Sequence, residues 1–77
     1  MVTITNLTSE SFPRREEFEA AVRQAFADAA DAYEITLLDG PETVVVEVRK
    51  GAASVFAYLP NHAGPAEIIA RLRTSRL

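Results

Sequence analysis

Apolar residues recur at steps of three and four over Phe18, Val22, Ala25, Phe26, Ala29 and Tyr33. That spacing places them on one stripe of an α-helix. Pro13 suits the first helical turn, where its missing N–H costs nothing, and Ser11 stands where a capping hydroxyl belongs. Alanines at 20, 21, 25, 27, 29, 30 and 32 favour helix. The pattern predicts one long helix over about residues 13–33.

Elsewhere the period is two. Val2 to Leu7 is rich in β-branched residues and predicts a first strand. Ile35–Leu38 predicts a second, and Asp39-Gly40-Pro41-Glu42 a turn after it. Thr43–Arg49 predicts a third strand, with Val44, Val46 and Val48 on one face and Val45 and Glu47 on the other. Lys50-Gly51 predicts a hairpin into a fourth strand, Val55–Leu59. Pro65 then opens a second helix, with Ile68, Ile69 and Leu72 as its apolar stripe. The order is β-α-β-β-β-α. It predicts a single α+β domain over residues 1–77, an antiparallel sheet with both helices packed on one face.

The last hairpin admits two registers. A two- or four-residue loop puts Val46 opposite Val55 and Val44 opposite Ala57, and sets Phe56 and Tyr58 on the outer face with Val45. A three-residue loop moves Phe56 and Tyr58 into the core. Either way apolar side chains remain on the face that the helices leave bare. Scattered surface apolars are ordinary; the competing readings are a contact face built on Val45, Phe56 and Tyr58, for a second copy of the chain (a homodimer) or another protein, and a small-ligand pocket.

The chain has 77 residues, a formal net charge of −3, one histidine and no cysteine. That excludes disulfides, thiolate zinc sites and multi-histidine metal centres. No basic, apolar leader precedes the first strand, and no apolar run approaches a membrane span, so a cytoplasmic protein is expected. Gly40, Gly51 and Gly64 are isolated and belong to no phosphate-binding loop. His62, in Asn61-His62-Ala63-Gly64, is the one candidate general base, with no marked nucleophile to serve. Neither a cofactor, a metal nor an enzymatic activity is expected.

The charge divides along the chain. Residues 1–47 sum to −7 and residues 48–77 to +4. On the predicted long helix, Glu16, Glu19, Asp28 and Asp31 form an acidic partner-binding face, suited to a basic protein surface. Arg49, Arg71, Arg73 and Arg76 are the basic contacts, of which the last three also complement the dipole of the second helix.

From Pro13 onward the α-β-β-β-α order resembles the double-stranded-RNA-binding domain and the small hairpin-and-helix toxins of bacterial toxin–antitoxin pairs. The first carries a lysine cluster opening its second helix, where this chain has Gly64-Pro65-Ala66-Glu67. The second carries a strand histidine beside a glycine turn, whereas His62 follows the last strand. No residue role carries over. The function expected is that of a small acidic, non-enzymatic interaction module, an inhibitor or antagonist occupying a basic surface of a partner protein. Antitoxins and anti-CRISPR proteins are of that kind. The alternative is a nucleic-acid-binding module using the basic C-terminal half.

Overall fold

A computed structural model describes all 77 residues. Four strands and two helices follow one another as β1 (Val2–Asn6), α1 (Arg15–Ala25), β2 (Tyr33–Asp39), β3 (Thr43–Lys50), β4 (Ala53–Pro60) and α2 (Pro65–Thr74). The strands lie side by side in chain order. The sheet is mixed: β2–β3 and β3–β4 are antiparallel, but β1 and β2 run parallel, with Val2 beside Tyr33 and Asn6 beside Leu37. This corrects the fully antiparallel sheet. A chain that leaves one end of β1 and returns to its start through a helix must enter the neighbouring strand in the same direction.

Helix α1 is shorter than the periodicity suggests. It ends at Ala25, not near residue 33, and Tyr33 already pairs in the sheet. Its start is also later. Ser11 does not cap it; the Ser11 hydroxyl meets that of Ser9, and Arg14 holds the cap position without a side-chain cap bond. Residues 8–14 instead make tight turns, with Phe12 N–H donating to Ser9 O at 3.0 Å. These turns bring Phe12 against Phe18, their ring centroids 5.7 Å apart.

At the far end the chain folds over itself. Phe26 is buried against Tyr33, with ring centroids 4.9 Å apart. The Arg76 guanidinium lies over the Phe26 ring, donates to the Ala25 carbonyl and pairs with Asp28 at 2.5 Å. The last carbonyls of a helix lack internal partners and carry its negative dipole end, so a guanidinium there closes the helix.

One core fills the space between sheet and helices. Phe18, Val22 and Ala25 of α1 and Ile68 and Leu72 of α2 pack with Tyr33, Ile35 and Leu37 of β2 and Val44, Val46 and Val48 of β3. Ala57 and Leu59 of β4 complete it. Both helices thus cover one face, and α1 and α2 pack on each other.

The β3–β4 register resolves the hairpin. Val46 lies opposite Ala57, Val44 opposite Leu59 and Lys50 opposite Ala53. The loop is therefore Gly51-Ala52, one position later along the chain than a Lys50-Gly51 centre. The pairs shift, but parity is that of an even loop, and Phe56 and Tyr58 face outward. Gly51 alone has positive φ, at 61°. That is the first central position of a type II′ turn, whose hand matches the strand twist. Replacing Gly51 with Ala forces a Cβ into left-handed backbone, and should cost about 1–2 kcal/mol in denaturant unfolding.

Candidate functional site

The outer sheet face alternates strictly with the core. Leu38, Val45 and Tyr58 sit in one cross-strand row of β2, β3 and β4, and Thr36, Glu47 and Phe56 in the next. Side chains directly opposite on neighbouring strands touch, so these rows form a continuous surface. Leu38 is 41% exposed, Phe56 51% and Tyr58 55%, and Val45 is half-buried between its neighbours. Val45, Phe56 and Tyr58 are thus brought together as expected from an even loop. Leu38 completes the row and was missed, although its signal was present. In a strand, adjacent Leu37 and Leu38 point to opposite faces, and Leu37 is in the core.

Charged groups rim this patch. Glu34 lies opposite Arg49 in the row beyond Glu47, and Arg49 pairs with Glu47 at 3.4 Å. At the other end, Glu42 and His62 share with Pro41, Thr43, Tyr58 and Asn61 a shallow groove that opens beside Tyr58. His62 is exposed there, with no hydroxyl nucleophile among the groove's other residues except Thr43 and Tyr58. No three His, Asp or Glu side chains are grouped to hold a metal ion. No helix is long and apolar enough to cross a membrane.

The four acidic residues assigned to a helix face are not together. Only Glu16 and Glu19 are on α1; Asp28 and Asp31 lie beyond its end. Glu19 accepts from Asn6 Nδ2 at 3.0 Å and pairs with Arg23 at 3.4 Å. Asp28 pairs with Arg76, and Asp31 with Lys50 at 3.2 Å. The Arg76 hydrogen bond, with added help from its charge, holds the Asp28 carboxyl below the ordinary carboxylate range. Glu17 is likewise lowered, by its hydrogen bond to Arg14, whose own guanidinium is raised by it. Around α1, Arg14, Arg15 and Arg23 offset Glu16, Glu17 and Glu19, so its outer surface is mixed in sign.

Topology gathers the acids elsewhere. The end of the molecule where β2 runs into β3 and where α1 begins carries Glu10, Glu16, Glu17, Asp39 and Glu42. The bases there are turned inward. Arg14 donates to Asn61 O at 2.7 Å, and Arg15 to Asn6 O at 3.0 Å. Asn6 ties β1 to α1, bonding Thr8, Arg15 and Glu19, a structural role its polarity alone did not signal.

The basic candidates also separate. Arg49 is on the outer sheet face, Arg71 and Arg73 are exposed on α2, and Arg76 is spent on Ala25, Phe26 and Asp28. Comparison with protein-family models, with curated proteins and with solved structures finds no match to this chain.

Proposed function

We propose that the protein is a non-enzymatic protein-interaction module. Its outer sheet face docks on a partner and blocks the surface it covers, as an inhibitor or antagonist does. The observation that carries this reading is the exposed row Leu38–Val45–Tyr58 with Phe56 beside it. Exposed apolar side chains grouped on a rigid sheet and rimmed by charge suit a contact with an apolar centre and polar edge. Glu34, Glu42 and Glu47 at the rim favour a partner whose matching rim is basic. The acidic contribution thus comes from the sheet's margin and the adjoining loop end, with Glu16 the one α1 carboxylate free of an internal partner.

The nucleic-acid reading has a smaller footprint. With Arg76 turned inward, Arg71 and Arg73 remain on α2 to meet phosphate, and few phosphate contacts give weak, steeply salt-dependent binding.

Val45→Lys buries a charge at the centre of the patch while leaving the core untouched. Pull-down from native-host lysate, read by mass spectrometry, should recover a basic protein with the wild type and lose it with Val45→Lys. Glu16→Lys combined with Glu42→Lys should weaken recovery in a salt-dependent way. Equal recovery by all three proteins would overturn the reading.

A further inference from the structure

The free edge of β4 carries information that its side chains do not. Asn61 N–H donates to Glu42 O at 2.9 Å, continuing the β3–β4 register by one step. In an antiparallel ladder, hydrogen-bonded pairs alternate. Leu59, Ala57, Val55 and Ala53 therefore direct their backbone groups toward β3. Ser54, Phe56 and Tyr58 direct theirs outward, on the side where the sheet has no further strand. No turn, loop or cap bond reaches any of those three residues. Pro60, which ends the row, has no N–H, and its carbonyl accepts from Ala63 N–H.

Edge strands are commonly blunted by charge, a bulge or brevity. Over Ser54–Tyr58 β4 has none of these, and the one blunting residue, Pro60, stands at its end. The strand is eight residues long, pairs with β3 without interruption, and contains no charged residue. The opposite edge, β1, is five residues long and presents Thr3 and Thr5 on its outer face.

We propose that β4 pairs antiparallel with β4 of a second copy, about a two-fold axis through Phe56, to give one continuous eight-stranded sheet. The outward-facing residues are symmetric about Phe56. Phe56 meets Phe56 of the other copy, and Ser54 meets Tyr58. All three free N–H groups and all three free carbonyls of each copy are then satisfied, by six backbone hydrogen bonds in all. A foreign strand can also use such an edge. Two features favour the second copy. The uncharged strand meets itself without repulsion. And α2 starts beside the Pro60 end of β4 and runs back toward Lys50, whose Nζ donates to Leu77 O at 3.1 Å, with Glu67 in its first turn and Arg71 in its last on one helix face. The two-fold axis sets the two α2 helices antiparallel, turning Glu67 of each copy toward Arg71 of the other, while Arg73 stays near Asp28 on the α1 side. This is a closed, isologous interface. It uses the strand's backbone and not the outer-face contacts proposed above, so either can fail alone.

Sedimentation velocity over a dilution series should show a concentration-dependent dimer for the wild-type chain. In that dimer the Ser54, Phe56 and Tyr58 amides should exchange as slowly as that of Ala57. Phe56→Pro removes the central donor without removing a β3–β4 hydrogen bond, and an outward N–H is where an edge strand tolerates proline. Phe56→Lys sets two like charges opposite each other across the axis and is the deciding variant if Phe56→Pro does not fold. Both should be monomeric with wild-type circular dichroism, and Val45→Lys should stay dimeric. A wild type that sediments as monomer throughout would overturn the proposal, as would a dimer that survives Phe56→Lys. So would a dimer lost in Val45→Lys yet kept in Phe56→Lys, which would place the contact on the sheet face.

Discussion

Phe26→Ala should lower the free energy of unfolding by about 3–5 kcal/mol, the usual range for truncating a buried aromatic. The ring is 1% exposed and lies between Tyr33 on the sheet and the Arg76 guanidinium, whose carbon is 5.4 Å from its centroid. It also occupies the C-cap position of α1. Removing it opens a void under the chain reversal that joins helix to sheet, where neighbours anchored at both ends cannot collapse inward. A chain of 77 residues buries a smaller fraction of its surface than a larger domain, so its margin is narrow. A loss of that size is a large part of the total of about 5–15 kcal/mol typical of folded domains. The variant should be substantially unfolded on mild warming, as followed by far-UV circular dichroism. A change below about 1 kcal/mol would mean that the reversal repacks freely and that Phe26 does not hold it.

The same residue explains where sequence reading succeeded and where it stopped. Phe18, Val22, Ala25 and Phe26 were legible as a helical stripe, and all four are buried. Helical spacing then continued through Ala29 to Tyr33, because a residue seven positions beyond Phe26 fits the stripe whether or not the helix persists. What ends the helix is tertiary. Arg76, fifty-one positions from Ala25, supplies the closing hydrogen bond, and β2 claims Tyr33 for pairing with Val2. Local periodicity reports neither. Parallel pairing of β1 with β2 was in principle readable, since a helix between two neighbouring strands implies a crossover. The outer face of β3 and β4 was legible once loop parity was known, because a period of two fixes every side chain from one. The acidic face was not. It depended on a helix long enough to align Asp28 and Asp31 with Glu16 and Glu19, and each of the two aspartates instead pairs with a base brought from the C-terminal half. The −7 and +4 halves are thus partly consumed in holding each other, which the linear sum could not reveal.

Arg76→Met isolates that long-range contact. Methionine keeps an apolar side chain over Phe26 but removes every donor. The Ala25 carbonyl, part-buried at the end of α1, loses its partner, and hydrogen bonds to charged groups contribute about 1.5–3 kcal/mol. A loss of that order is expected at neutral pH, smaller than that of Phe26→Ala. The pH profile separates its parts. Asp28 has a folded pKa held below its ordinary value of 3.8, chiefly by its hydrogen bond to Arg76. A carboxyl lowered on folding stabilises the native state above its unfolded pKa, and that contribution disappears as pH falls through the folded value. In Arg76→Met the Asp28 pKa should move back up, so its contribution is missing at neutral pH. The gap between wild type and variant should therefore stay level from neutral pH down to about 4, then narrow in stronger acid as the wild type loses the same contribution. It should not close, because the Ala25 carbonyl remains without its donor at every pH. Glu17, lowered by Arg14, titrates alike in both proteins and cancels. Asp28→Asn supplies the complementary curve, separated from wild type at neutral pH and converging with it in acid. A gap for Arg76→Met that is flat throughout would show that the Asp28 pair contributes nothing, and that the guanidinium acts on the helix end alone.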